Sequence, residues 1–215
     1  FVDAAGNGSS VLTFDGTAAQ TVSAEIVGSA ASEGTMNVNN DVTFNANIGS
    51  SGSFELDTIT IATGKKMTIG TALNVGATAI NVVGTGGLTL EGTMTLDAGT
   101  TLDLASDSLA ATMILLPDTS YASSVVIDAS AATQVDFNNG AGGTLVITAP
   151  ASFASGTLIL VNNFDGLAGA GTIDTAVANS LISVTANTLA TYAVTNDGTD
   201  IIITATANSA SAMAS

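Results

Sequence analysis

The 215-residue chain has no cysteine, histidine, tryptophan or arginine, and its only cationic side chains are Lys65 and Lys66. Each absence removes a class of function. Without cysteine there is no disulfide or thiol chemistry, a pattern that fits secreted bacterial surface proteins among others. Without histidine or cysteine, Ser–His and Cys–His nucleophilic arrangements cannot be built, and zinc loses its usual ligands. A Ser–Lys arrangement would have to use the lysines of "TGKKMT", which reads as an exposed corner. Against 18 acidic residues, two cations leave a formal net charge of −16. A phosphate backbone needs Lys or Arg to displace its counterions, so the expectation is no nucleic-acid partner. Anionic membrane surfaces are disfavoured for the same reason. No apolar run approaches the ~20 residues of a spanning helix, so no membrane insertion is expected in this segment. The chain opens at Phe1 without a basic-then-apolar leader, which suggests a processed or trimmed piece of a larger product.

What remains is aliphatic and turn-rich. Hydrophobic residues make up 46% of the chain and aromatics only 4%, so any core is built from Val, Ile, Leu and Ala. The stretch "GGLTLEGTMTLDAGTTLDL" (86–104) repeats one device three times. Two apolar residues flank a polar one in Leu88-Thr89-Leu90, Met94-Thr95-Leu96 and Leu102-Asp103-Leu104, with Gly, Thr, Glu, Ala and Asp between. Similar short extended runs recur at Val11–Phe14, Thr21–Val27, Val42–Ile48, Thr58–Ile61, Lys66–Ile69 and Ala79–Val83. They continue at Met113–Leu116, Val125–Ile127, Val135–Phe137, Leu145–Thr148, Leu158–Val161, Leu181–Thr185, Tyr192–Thr195 and Ile201–Thr204. Helical periodicity is nearly absent. Asp107 to Met113 could make one capped turn, and Ala168 to Leu181 is a weaker candidate.

A three-residue strand spans only ~10 Å. That is too short for a sandwich face but suits one side of a coil whose strands pair with the coils above and below. The predicted fold is therefore all-β: a parallel β-helix (β-solenoid), with a β-sandwich as the alternative. The stack is assigned to residues 1–150. A C-terminal cap or antiparallel hairpin region is assigned to 151–206, on the signal "TYAVTNDGTDIIIT" (191–204), where Asp197-Gly198 suits a type I′ turn. Residues 207–215 read as a linker or tail. "LTFDG" (12–16) and "VTFNAN" (42–47) look alike about 30 residues apart, but no strict period emerges.

No catalytic or cofactor motif stands out. Asp97, Asp103 and Asp107 could form the paired carboxylates of a carbohydrate-active β-helix enzyme, but corner and cap roles explain them better. Calcium is the one ion that the turns could hold, through Asp197 and Asp200 of "NDGTD". Asn37, Asn39, Asn40, Asn45 and Asn47 are expected to form side-chain ladders at corners. Thr-x-Thr occurs at Thr58/Thr60 and Thr93/Thr95, too sparsely to make an array. The Gly-rich stretches "GTGG" (84–87) and "GLAGAG" (166–171) read as corners rather than phosphate loops.

"LTFDGTAAQTV" (12–22), "VTFNANIGSSG" (42–52) and "TLDAGTTLDL" (95–104) resemble the β-strand-repeat passengers of bacterial autotransporters, in particular the large rickettsial surface antigens that coat the cell. The stretch from "GTLILVNNFDG" (156–166) to "DGTDIIITA" (197–205) is similar to recurring closing segments of such passengers. The resemblance implies a right-handed β-helix, export to the cell surface, and roles in coats or adhesion. The acidic, cation-poor composition is equally similar to that of bacterial surface-layer proteins. The functional expectation is a non-catalytic extracellular structural protein that self-associates into a lattice or filament. The alternative is an adhesin module binding a glycan or protein ligand.

Overall fold

Apolar residues on either side of a polar one can face a common interior only in extended backbone, where successive side chains point to opposite sides. The computed structural model of the chain is built on this device. It describes residues 10–49, 54–104, 110–115, 125–136, 144–162, 182–185, 189–197 and 199–209. Within them there is no helix, and 19 strands form three sheets that wind as a parallel β-helix.

The chain visits sheet A, then B, then C, and starts again. Two opening coils use β1 (Val11–Phe14) and β2 (Gln20–Val22), then β3 (Thr35–Val38) and β4 (Val42–Phe44). Their third side is a single bridging residue, Ile26 and then Ile48. Four complete turns follow. The first is β5 (Leu56–Ile61), β6 (Lys66–Ile69) and β7 (Leu73–Val75); the second is β8 (Ala77–Val82), β9 (Gly87–Leu90) and β10 (Met94–Leu96). The third is β11 (Thr101–Asp103), β12 (Ala110–Leu115) and β13 (Val125–Asp128); the fourth is β14 (Gln134–Asp136), β15 (Thr144–Thr148) and β16 (Gly156–Val161). β17 (Ile182–Thr185) extends sheet B, parallel to β15. β18 (Ala190–Asn196) and β19 (Ile201–Ala207) form an antiparallel hairpin, and β19 pairs antiparallel with β16 at the end of sheet C.

The three triplets of residues 88–104 thus lie on three sides of the shaft, in β9, β10 and β11. Val11, Thr35, Thr58, Ala79, Thr101 and Gln134 stand in one file on sheet A, so successive coils use 24, 23, 21, 22 and then 33 residues. This varying step is why no strict period is visible. The look-alike segments at 12 and 42 are not one coil apart: the first lies on sheet A and the second on sheet B.

One aliphatic core fills the shaft. In sheet A, Met36, Ile59, Ile80, Leu102 and Val135 stack in register and are all buried. In sheet B the matching file is Val42, Met67, Leu88, Met113 and Ile147. Fully burying each such side chain stabilises the fold by about 1.5–3 kcal/mol. Phe44 is among the largest buried side chains of the described residues and meets the Phe14 ring edge-on, with centroids 5.6 Å apart.

Several local expectations are corrected. Thr21–Val27 and Val42–Ile48 are not continuous strands: β2 and β4 end at Val22 and Phe44, and the chain turns before Ile26 and Ile48. β3 and β7 had no counterpart in the sequence reading, because Asn37 and Asn74 suggest turns where they are outward strand residues. The helical turn over Asp107–Met113 gives way to strand from Ala110, since pairing with β9 and β15 decides that segment. Asp107 itself, Ala168–Leu181 as a helix, "GLAGAG" and the tail from 210 lie outside the described residues. β19 runs to Ala207, and Asn208 N donates to Leu189 O at 2.8 Å.

Candidate functional site

The middle residue of each triplet points away from the core, though Asp103 is itself only 6% exposed, so the coils convert a scattered residue type into straight files whose members are about 4.8 Å apart. On sheet B the file is Thr21, Thr43, Thr68, Thr89, Ile114, Thr148 and Thr185. On sheet A it is Thr13, Asn37, Thr60, Asn81, Asp103 and Asp136. On sheet C, Asn74, Thr95 and Asp128 align. The threonine file was missed because no linear motif encodes it: its members are 21 to 37 residues apart. The Thr-x-Thr pairs were the wrong signal. Thr58 and Thr60 do face outward together, but Thr93 is buried and its Oγ donates to Val125 O at 2.8 Å.

Asparagines serve both faces and corners. Asn37 is a face residue, contrary to the corner expectation. Asn40 Nδ2 donates to Ala18 O at 2.5 Å, and Asn47 Oδ1 accepts from Asn74 N at 2.9 Å, so these two do bind neighbouring coils. One corner carries a compact polar network. Asp128 Oδ1 accepts from Ser130 Oγ at 2.7 Å, Asn162 Nδ2 at 2.9 Å and Ser130 N at 3.1 Å. Asn162 Oδ1 in turn accepts from Ala129 N at 2.6 Å. Partial burial pushes the Asp128 carboxyl pKa up, but the bonds from Ser130 Oγ, Asn162 and Ser130 N outweigh it and hold the pKa below the usual value.

The two calcium candidates flank the hairpin loop. Asn196 pairs with Ile201, so Thr199 and Asp200 belong to the loop along with Asp197. Asp197 Oδ1 accepts from Asp200 N at 2.8 Å and Thr199 N at 3.0 Å, and Asp197 N donates to Asp200 O at 3.2 Å. The Asp200 and Thr199 amides hold the Asp197 carboxyl below its usual pKa. Asp197 therefore acts as a turn cap through the oxygen that those amides occupy. No group of three or more His, Cys, Asp or Glu suited to a metal occurs among the described residues.

Of the carboxylates considered for sugar chemistry, Asp107 lies outside the described residues, and Asp97 and Asp103 occupy different positions in the coil. Asp97 follows β10 at the corner between sheets C and A, while Asp103 stands on the face of sheet A beside Asn81 and Asp136. Asp97 has a different neighbour, which the sequence did not suggest. A Cβ placed on Gly76 would lie 3.1 Å from Glu55 Cγ and 3.2 Å from Asp97 Oδ2.

The ends of the shaft differ from its middle. Leu12, Phe14 and Val22 in the first coil are only partly buried, as are Val184 and Tyr192 at the other end. Gln20 Oε1, in the first rung of sheet B, is enclosed without a hydrogen-bond partner. A cleft of about 430 Å³ opens between β17 and β18, lined by Ser183, Val184, Tyr192 and Val194 among others. Tyr192 closes onto the loop before β16: its hydroxyl donates to Phe153 O at 3.0 Å, and the two rings lie 6.0 Å apart. No helix among the described residues is long and apolar enough to cross a membrane. No known protein family, curated protein or solved structure matches the chain.

Proposed function

We propose that the protein is a non-catalytic extracellular structural element that forms or decorates a bacterial surface layer or filament. The observation that carries this reading is the unbroken stacking of three sheets around a single aliphatic core. Such a body is a stiff spacer whose length is set by coil number. Its outer files are mainly small, uncharged polar residues, which suit close lateral contact between like copies despite the acidic net charge. The cation-poor, cysteine-free composition and the resemblance to autotransporter passengers and surface-layer proteins support export. Immunogold electron microscopy of intact cells tests the reading. The expected result is label on a regular layer or fibre outside the cell. Label confined to the cell interior, or only dispersed monomers outside, would overturn it.

The adhesin alternative is favoured by one feature, the lengthening of the last coils on sheet A from 22 to 33 residues. Added residues between rigid strands are where ligand contacts are commonly built. Saturable binding of the purified chain to a glycan array would support that role, and binding to no glycan or cell surface would remove it.

A further inference from the structure

Exposed sheet edges in monomeric proteins are usually blunted by Lys, Pro or inward charge, because free N–H and C=O groups recruit other strands. The terminal strands of sheet B are not blunted. β2 (QTV) at one end and β17 (ISVT) at the other contain no Lys, Pro, Asp or Glu, and neither do β1 (VLTF) and β18 (ATYAVTN), whereas β14 (QVD), the last strand of sheet A, carries Asp136. In a chain of net charge −16, sheet B thus has a neutral strand at each of its two edges.

The core leads to the same two places. Apart from Ala132, the partly buried apolar residues packed on the core among the described residues are Leu12, Phe14, Val22, Val184 and Tyr192. One coil inward from the first rung, the in-register residues Met36, Val38 and Phe44 are at most 1% exposed. Both ends therefore present apolar surface that another coil would cover.

Strand direction decides how two copies can meet. β2, β4, β6, β9, β12, β15 and β17 all run parallel in sheet B. The first strand of one copy can continue that sheet beyond the last strand of another only head to tail. The alternation also matches: Thr21 and Thr185 point outward in one file, and Gln20 and Val184 share the adjacent inward file. We propose that copies of this chain join head to tail by β-augmentation, β2 of one copy adding to β17 of the next, with Thr21 beside Thr185 so that the outward file of sheet B runs on from copy to copy. The inference rests on the self-associating structural role above and gives it a specific contact. Such a contact is heterologous and does not close on itself, so it yields an open filament rather than a ring.

Sedimentation velocity of the full 215-residue chain over a concentration series, with negative-stain microscopy, tests this. Thr21 and Thr185 are both exposed, so charge placed there should leave the fold intact, which circular dichroism checks. Wild-type protein is expected to lengthen end to end with concentration. The double variant T21K/T185K places like charges opposite each other at the joint, and association should weaken roughly tenfold or more. The T21K/T185E variant places opposite charges there and should restore it. Equal association of all three proteins would overturn the head-to-tail joint; a lattice surviving in T21K/T185K would leave the surface-structure reading in place. A wild-type chain that stays monomeric at every concentration would overturn the joint as well.

Discussion

Gly49 and Gly76 occupy the same corner in successive coils. A Cβ on Gly76 would lie 2.2 Å from Gly49 O, and one on Gly49, whose φ is +61°, would lie 1.9 Å from Gly76 O. The corner is too tight for any side chain, because Gly49 N and Gly76 N donate to Ile26 O and Ile48 O and draw the coils together. Gly76→Ala is expected to destabilise the protein by about 1–3 kcal/mol through overpacking; an unchanged urea midpoint would contradict this. Asp128 gives a pH-dependent counterpart. Its pKa is depressed in the folded state, so its contribution to stability is present above the ordinary carboxylate value of about 4 and is lost as pH falls through the folded value. Thermal unfolding across the acid range should show a stability loss there that is shallower in Asp128→Asn. Identical profiles would mean that the network does not hold the charge.

At the scale of elements, the sequence disclosed strand chemistry better than strand limits. Leu88-Thr89-Leu90 was legible because both flanks are aliphatic and the centre is a strand former. Thr35–Val38 was not, because Asn37 carries a turn propensity that the flanking coils override through pairing with Thr13 and Thr60. The outer files could not be read from one triplet at all, since their order depends on a coil step that varies from 21 to 33 residues on sheet A alone. The hairpin was visible in its alternating runs, but the loop residues were displaced: Asp197 uses its carboxylate as a cap, so the loop is wider than Asp-Gly implies. The position of the lysines makes a separate prediction. Lys65 N donates to Ala62 O in a tight turn, and Lys66 begins β6 with its amide bound to Asp41 Oδ1. Trypsin cleaves only after these two residues, and binding its active site requires a flexible, extended segment. The folded chain should survive trypsin for hours under conditions that cut a urea-unfolded sample at once. Rapid nicking of the native protein at residue 65 or 66 would show that this corner opens readily.

For the molecule as a whole, 18 acidic side chains against two cations act across the shaft as self-repulsion. At about 0.01 M salt the screening length is ~30 Å, and at 0.15 M it is ~8 Å. Unfolding temperature should therefore rise between these conditions. A fall would mean that local attractive pairs outweigh the net field. The same body is also anisotropic. Each coil is held chiefly by its two neighbours, through backbone ladders that lie along the axis. Tension applied through the two chain ends would load those ladders one rung at a time rather than all together. The shaft would then unspool stepwise, each compact coil of 21 residues releasing up to about 70 Å of chain, and so dissipate a tug gradually instead of snapping.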